Sequence, residues 1–293
     1  METRVVKLCI SHNTTYSYSG PVTLGTHRLM LRPRESRDVR LLSMDLRLMP
    51  QATVVWTHDV AGNMVATATF GPRLDRLEIH STVELELDAA PWPIFLVAAH
   101  AIAWPFQYTL DELIDLGPLI MPQYCDDAGQ LREWVQGFVR SNPTDTLALL
   151  KDINSGISGW VSYQSRDSEG TQGPVDTLER GWGACRDFAV LFIEAVRTLG
   201  FGARIVSGYL RDSLEPGLRF YGTGSTHAWA EVYVPGAGWI TFDPTNGTVG
   251  GANLIPVAVG RSIAQVMPVT GTFAGKEAFA TGMSIDVSVV ERY

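Results

Sequence analysis

Cysteine is scarce in this sequence of 293 residues, which contains only Cys9, Cys125 and Cys185. Three cysteines so widely separated cannot form a disulfide framework, and no two of them have the close spacing of zinc ligands. We therefore expect reduced thiols, no metal site and a cytoplasmic location.

Long apolar runs and long runs of one charge are also missing. No window approaches the length of a transmembrane helix, and the N-terminus lacks the basic end and apolar stretch of an export signal. The 23 basic and 31 acidic residues are mixed along the chain, so no basic patch is available for a phosphate backbone. We expect a protein that binds neither nucleic acid nor membranes, and nothing in the sequence indicates its oligomeric state.

The chain changes character near residue 95. The segments before this point are rich in Val, Leu, Thr and Tyr and are separated by turn-forming residues: "RVVKLCISH", "VTLGTHRLMLRP", "RLLSMDLRLM", "ATVVWTH", "NMVATATF" and "RLEIHSTVELEL". They predict an antiparallel, sandwich-like β domain over residues 1–95, in which "DVAGNM" forms a hairpin turn. The two prolines of "DAAPWPIF" oppose both helix and central strand and indicate a linker.

Residues 96–293 mix helical and strand patterns and form the second predicted domain. The segments "GQLREWVQGFVR" and "NPTDTLALLKDINSGI" predict helices, the second with Asn142 or Thr144 as its N-terminal cap. The predicted fold class is α+β, with a helix packed on an antiparallel sheet in this second domain.

The clearest helix pattern follows the glycine-rich turn "RGWGA". Apolar residues recur there at helical spacing: Phe188, Leu191, Phe192, Ala195, Val196 and Leu199. The charged residues of the same segment are expected to face water: Arg186, Asp187, Glu194 and Arg197. Gly200 is a suitable end for the helix.

Cys185 lies at the N-terminus of this predicted helix. Unpaired backbone amides and the positive end of the helix dipole favour a thiolate there, which suits a nucleophile. Free cysteine is also among the residue types most often buried, so position alone leaves a small core residue as the alternative.

Two strand patterns follow in "STHAWAEVYVPGAGWITFDPTNG", with His227 near the start of the first and Asp243 at the end of the second. If residues 234–238 form a five-residue loop, Tyr233 lies opposite Trp239. Asp243 is then the diagonal neighbour of His227, at a backbone separation of about 7–8 Å that the two side chains can span. A four-residue loop would place Asp243 on the other face of the sheet.

His227 and Asp243 each have a structural explanation as well, since a histidine at a strand start is often structural and an Asp-Pro pair is common in turns. Together with a cysteine, they supply the parts of a nucleophilic mechanism. A thiolate attacks an acyl carbon, an imidazole carries the proton, and a carboxylate orients the imidazole. Cys185, His227 and Asp243 are therefore the candidate catalytic triad.

The runs "GWGACRDFAVLFIEAVRTLGFGARIVSGYL" and "THAWAEVYVPGAGWITFDPTNG" resemble the bacterial transglutaminase-like superfamily, over roughly residues 160–250. The segment "NTTYSYSGPVTLGTHRLMLRPR" resembles the β-rich N-terminal domain found with that catalytic domain. The resemblance implies a papain-like fold with Cys185 as nucleophile, His227 as general base and then acid, and Asp243 as the orienting carboxylate. In "NLIPVAVGRS", however, a histidine and an aspartate expected from relatives are replaced by Asn253 and Ser262.

Other residues are candidates for an oxyanion site or a substrate groove. The backbone amide of Cys185 is the simplest oxyanion donor, and an upstream side chain is a candidate for a second: Tyr163, Gln164 or Trp160. Trp182 and Trp229 flank the nucleophile and the base in sequence, so they are candidates for the walls of an acyl-binding groove. Core packing explains the same aromatic residues equally well.

The predicted function is a thiol-dependent hydrolase of amide bonds that acts on a peptide or protein substrate and needs no cofactor or metal. Acyl transfer from a glutamine side chain to an amine is the alternative, because it passes through the same thioester. We favour hydrolysis because the short loops around the site show no device for excluding water. A non-catalytic peptide-binding module is the third alternative, and the presence of all three triad residues argues against it.

Overall fold

The computed structural model describes residues 5–71, 73–91, 93–166, 170–212, 220–222, 224–275 and 278–292. The N-terminal strands are β1 (Val6–Leu24), β2 (His27–Leu29), β3 (Val39–Met49), β4 (Thr53–His58), β5 (Met64–Thr69) and β6 (Leu74–Leu87). The elements that follow are β7 (Ala103–Trp104), α1 (Leu110–Leu116), α2 (Gln130–Gln136), β8 (Thr144–Asp145), α3 (Thr146–Trp160), β9 (Ser162–Tyr163), α4 (Pro174–Arg180), β10 (Trp182–Gly183) and α5 (Cys185–Thr198). The C-terminal strands are β11 (Gly202–Leu210), β12 (Thr226–Val234), β13 (Gly238–Asp243), β14 (Thr248–Val249), β15 (Leu254–Gly260), β16 (Val269–Thr270), β17 (Phe273–Ala274) and β18 (Ala280–Arg292). The α+β class predicted from the sequence is confirmed.

The N-terminal strands form two antiparallel sheets that pack on each other. One sheet contains β3, β6 and β1 in that order, and the other contains β2, β5 and β4. Alternate residues of β6 point into the core and are buried: Leu77, Ile79, Val83, Leu85 and Leu87. The predicted hairpin turn between β4 and β5 is present, and Asp59 closes it by accepting hydrogen bonds from the backbone of Ala61 and Asn63. This arrangement confirms the sandwich-like packing.

Strands from the end of the chain complete both of these sheets. β18 pairs with β1 along nearly its whole length, from Lys7 opposite Arg292 to Tyr18 opposite Ala280. β17 also pairs with β1, and β16 pairs with β2. The boundary near residue 95 stays a prediction, and residue 92 of the predicted linker lies outside the described residues. The sheets nevertheless contain strands from both sides of that boundary.

A separate five-stranded antiparallel sheet positions the candidate triad. Its order is β14, β13, β12, β11 and β15, and α5 packs across β11 and β12. The apolar face predicted for α5 is buried, with Phe188, Phe192 and Val196 in the core. Helices α2, α3 and α4 contact α5 as well. In the described part of the chain, no helix has both the length and the apolar character needed to cross a membrane.

The prediction that the charged residues of α5 face water is wrong for Asp187, Glu194 and Arg197, which are all buried. Arg197 Nη1 and Glu194 Oε1 form an ion pair at 2.7 Å. Arg197 also donates to three backbone carbonyls, and Glu194 accepts from two backbone N–H groups. The segment 119–124 supplies several of these partners and covers the outer side of α5, so the polar side of the helix pattern is inside the protein.

The cap of α3 also differs from the prediction. The helix begins at Thr146, and the side chain of Asp145 accepts a hydrogen bond from Ala148 N at 2.7 Å. Neither Asn142 nor Thr144 is the cap. Asn142 lies three residues before the capping Asp145, and Thr144 is paired with Trp104 in the short ladder of β7 and β8.

Candidate active site

Cys185 is the first residue of α5, as predicted, and its side chain is half-buried. Asp187 fixes the start of the helix, because its Oδ2 accepts from Ala184 N at 2.8 Å. The other oxygen, Oδ1, accepts from Gln172 N at 2.8 Å and from Arg166 Nη2 at 2.9 Å. This network holds the thiol at the positive end of the helix dipole, where a thiolate is favoured.

The hairpin of β12 and β13 has the predicted register, but Val234 pairs with Gly238, so the loop has three residues (235–237) and not the expected five. Because three is also an odd number, the pairing of the two strands is the same. Tyr233 lies opposite Trp239, and the side chains of His227 and Asp243 lie on one face of the sheet. His227 Nε2 and Asp243 Oδ2 are 2.9 Å apart. The diagonal contact inferred from loop length and alternation is therefore confirmed.

Asp243 is buried, and hydrogen bonds occupy both of its oxygens. Oδ1 accepts from the backbone N–H groups of Thr245 and Asn246 at 3.1 and 3.4 Å. Oδ2 accepts from Asn246 Nδ2 at 2.8 Å in addition to its contact with His227. Burial raises the pKa of Asp243, but the charge of His227 and these hydrogen bonds outweigh burial and hold the pKa below its ordinary value. The sequence analysis missed Asn246, although it lies three residues after the aspartate in "DPTNG".

The opposite nitrogen of the imidazole, Nδ1, is buried and has no hydrogen-bond partner among the described residues. Cys185 is close enough to the ring to raise the pKa of His227. Because Asp243 occupies Nε2, Nδ1 is the nitrogen left for proton exchange with the thiol, in the order that a triad requires.

The electrostatics of the cysteine and the histidine favour an ion pair. Burial lowers the pKa of His227, but the charge and hydrogen bond of Asp243, together with Cys185, outweigh burial and raise the pKa to about 10. Burial raises the pKa of Cys185, but the nearby His227 outweighs burial and lowers the pKa below the ordinary value. These opposite shifts favour a thiolate and an imidazolium near neutral pH.

Of the upstream candidates, Tyr163 lies on the short strand β9, Gln164 directly follows it, and Trp160 is the exposed last residue of α3. β9 runs parallel to β10, so that Tyr163 lies opposite Gly183, two residues before Cys185. Burial, and then the negative charge of Cys185, raise the pKa of Tyr163 to about 12. Its hydroxyl therefore stays protonated at neutral pH and is available as a donor. Gln164 is exposed and Trp182 is half-buried on the neighbouring strand.

Trp229 supports the histidine from inside the protein. Only 1% of its surface is exposed, and it packs in a small cluster with Val206, Leu210, Leu254 and Val259. Its ring lies against that of His227, with the ring centres 6.0 Å apart. The suggestion that Trp229 lines an open groove is wrong, and the packing explanation is the one that fits its burial.

The described residues 220–222 border the other side of the histidine. Gly222 has φ of +94°, and a Cβ built on it would lie 2.6 Å from His227 Nδ1, so only glycine fits against the ring there. Tyr221 stacks on Tyr163, with ring centres 4.7 Å apart. Gly222 begins the segment "GTGS" and places a loop beside His227, although residue 223 lies outside the described residues.

Comparisons with known sequences identify the family. Residues 132–244 match the transglutaminase-like superfamily, and residues 8–86 match the bacterial transglutaminase-like N-terminal region. An uncharacterized protein of Mycobacterium tuberculosis is 30% identical over 296 residues, an alignment that covers 95% of this chain and 91% of that protein. An uncharacterized protein of Mycobacterium leprae is 22% identical over 286 residues and is covered to 98% of its length.

A solved structure has the same fold. It is that of a candidate cysteine protease from Cytophaga hutchinsonii, which superimposes with a TM-score of 0.74 at 20% sequence identity. The match covers 99% of this chain and 92% of the other. At this level of identity, the likeness concerns the fold.

Proposed function

The chain belongs to the transglutaminase-like superfamily and carries its bacterial N-terminal region, and from this premise we propose that it is a thiol-dependent hydrolase of amide bonds. Cys185 is the nucleophile, His227 carries the proton, and Asp243 orients the imidazole. The observation that supports these roles is the 2.9 Å contact between His227 Nε2 and Asp243 Oδ2, with Cys185 close enough to the same ring to raise its pKa.

Acylation starts from the thiolate–imidazolium pair. The Cys185 sulfur attacks the carbonyl carbon of the amide and forms a carbon–sulfur bond. His227 then gives the proton on Nδ1 to the leaving nitrogen, the carbon–nitrogen bond breaks, and a free amine departs. The products of this half-reaction are a thioester on Cys185 and a neutral imidazole.

Deacylation returns the enzyme to its first state. The neutral His227 takes a proton from a water molecule, and the water oxygen attacks the thioester carbon. The carbon–sulfur bond breaks, a carboxylic acid leaves, and the thiolate–imidazolium pair is restored. The sum of the two half-reactions is hydrolysis of one amide by one water.

The negative oxygen that forms in both half-reactions needs donors. The N–H of Cys185 is one of the first amides of α5, which have no acceptor within the helix. The protonated hydroxyl of Tyr163 on the neighbouring strand is the proposed second donor, since it lies close enough to Cys185 to respond to its charge.

Hydrolysis is proposed over transfer to an amine because Cys185 keeps part of its surface exposed, and water that reaches the thioester there gives hydrolysis. The test is incubation with a glutamine-containing peptide, with and without a fluorescent primary amine. Peptide cleavage, ammonia release and amine incorporation are followed in the same reaction. We expect cleavage or ammonia release without the amine, and neither in Cys185→Ala.

A matched control is Cys125→Ala, which removes an exposed cysteine outside the site and is expected to leave the reaction unchanged. If amine incorporation dominates, acyl transfer replaces hydrolysis as the proposed function. Failure to form a thioester with any peptide in a broad mixture, while Cys185 also resists iodoacetamide, would favour the non-catalytic peptide-binding module.

A further inference from the structure

One side chain, that of Asn246, contacts both the triad and the loop beside it. Its Nδ2 donates to Asp243 Oδ2 at 2.8 Å and to the carbonyl oxygen of Tyr221 at 3.2 Å. Its Oδ1 accepts from the backbone N–H of Tyr221 at 2.8 Å. Both amide hydrogens and the carbonyl oxygen of the side chain are therefore in use.

Only a carboxamide can make this set of bonds. An aspartate has no hydrogen to donate, and a serine or threonine has one oxygen in place of two separated groups. Both the N–H and the C=O of Tyr221 pair with Asn246, as they would with a neighbouring strand. The backbone on both sides of the Tyr221 Cα is thus fixed in position by a residue whose third bond goes to Asp243.

Tyr221 and Gly222, the segment held by Asn246, contact two parts of the site. Gly222 lies against the ring of His227, on the side of Nδ1. Tyr221 is largely exposed and stacks on Tyr163, the tyrosine whose pKa responds to the charge of Cys185. The two stacked rings therefore form an aromatic surface beside the nucleophile.

We propose that Asn246 is a positioning residue that sets the orientation of Asp243 and holds Tyr221 against Tyr163. The two tyrosines form an aromatic wall of the acyl-binding groove, which selects peptides with an apolar or aromatic side chain next to the bond that is cleaved. This inference rests on the proposed function, because it assumes that Cys185 forms a thioester.

The proposal predicts a pH effect that can be measured without a substrate. The hydrogen bond from Asn246 helps to hold the pKa of Asp243 down, so its loss raises that pKa. Once Asp243 is protonated, it no longer stabilises the imidazolium of His227, and the thiolate is lost. The rate at which iodoacetamide alkylates Cys185 falls toward acid pH, and this acid limb of the pH profile therefore moves to higher pH in Asn246→Ala. The other groups that act on this set are Tyr163 on β9 and Arg186 on α5, and both are retained in the variant.

Asn246→Asp sharpens the test because it has the same shape. It loses both Nδ2 bonds and places a second negative charge beside Asp243, so its acid limb moves further than that of Asn246→Ala. Tyr221→Ala removes the wall and keeps the contact of Asn246 with Asp243. Its acid limb stays in place, while its KM for an aromatic peptide rises by about threefold to tenfold relative to a glycine-containing peptide.

Asn63 supplies a matched control in the same protein. Its Nδ2 donates to Asp59 Oδ2 at 2.9 Å and to the carbonyl of Val259 at 2.8 Å, and its Oδ1 accepts from Val259 N at 2.9 Å. These bonds reproduce those of Asn246, away from the triad. Asn63→Ala is expected to lower the free energy of unfolding and to leave the acid limb unchanged.

Two results separate this inference from the proposed function. In Asn246→Ala, kcat/KM is expected to fall by about 10–100-fold, with changes in both kcat and KM. If Cys185 reacts in the unaltered protein and the acid limbs of both Asn246 variants coincide with it, the positioning role is overturned and the proposed function stands. If Cys185 does not react selectively even in the unaltered protein, the proposed function itself is wrong.

Discussion

The two ends of helix α5 both bury ionisable groups, but they differ in how completely those groups are paired. At the C-terminal end, Glu194 and Arg197 form an ion pair at 2.7 Å and further bonds to the backbone. Neither side chain has a buried polar atom without a partner among the described residues. Beside the N-terminal end, His227 Nδ1 has no hydrogen-bond partner among the described residues, and Cys185 is close enough to this ring to raise its pKa.

Under the proposed function, this difference separates a structural network from a chemical one. A fully paired buried ion pair stabilises one arrangement of the surrounding backbone, since removing either partner leaves an uncompensated charge. An imidazole with one nitrogen bound to a carboxylate and the other without a hydrogen-bond partner can exchange a proton with an arriving group. Burial alone would have classed both ends together, and the pairing of individual atoms distinguishes them.

The largest effect is expected from Cys185→Ala, which tests the chemical end of the helix. Loss of the nucleophile lowers the acylation rate by at least about 10⁴-fold, because no other group can form the thioester. Stability changes little, since the side chain is half-buried and small. Mass spectrometry of the acyl-enzyme and urea unfolding measure the two quantities. A large loss of stability with unchanged activity would instead identify Cys185 as a core residue.

The next effect tests the structural end. Arg197→Ala leaves Glu194 buried without its cation, and we expect the free energy of unfolding to fall by about 3–5 kcal/mol. Iodoacetamide labelling of Cys185 in the folded protein is expected to keep its rate, because no bond of Arg197 reaches the triad. Chemical denaturation and labelling on the same sample provide the comparison.

A double variant makes the comparison stricter. Glu194→Leu with Arg197→Met replaces both charges with apolar side chains, which often costs less than breaking the pair. We expect it to be more stable than Arg197→Ala alone. If the double variant and Arg197→Ala are equally stable, the loss of stability in Arg197→Ala comes mainly from the lost bonds of Arg197 to the backbone and not from the uncompensated charge.

Much of the candidate site was predictable because its determinants are local. The alternation of β12 and β13 and the parity of the loop between them set His227 and Asp243 on one face without knowledge of the rest of the fold. The position of Cys185 at a helix start followed from the apolar spacing of α5 alone. Each of these features depends on residues within about twenty positions of one another.

The features that the sequence analysis missed depend on distant contacts. The charged side of α5 has the sequence pattern of a solvent-facing surface. Only the contacts with the segment 119–124 show that this side is covered. β18 pairs with β1 from the opposite end of the chain, and no local pattern specifies such a partner. In the sequence, Asn246 is typical of a turn residue. Its bonds to Tyr221 join residues twenty-five positions apart, and no local pattern predicts such a contact.

The smallest of these expected effects concerns Tyr163 and separates stabilisation of the oxyanion from stabilisation of the thiolate. Tyr163→Phe keeps the stacking on Tyr221 and removes only the hydroxyl, so acylation is expected to slow by about 10²-fold through the loss of one oxyanion donor. Alkylation of Cys185 by iodoacetamide forms no oxyanion, and its rate is therefore expected to stay the same. His227→Ala, in contrast, lowers both rates because it removes the partner of the thiolate. Gln164→Ala is the matched control on the next residue, and its side chain is exposed. If acylation is slow in Gln164→Ala and normal in Tyr163→Phe, the glutamine and not the tyrosine is the oxyanion donor. If Tyr163→Phe slows alkylation as much as acylation, the tyrosine acts on the thiolate and not on the oxyanion.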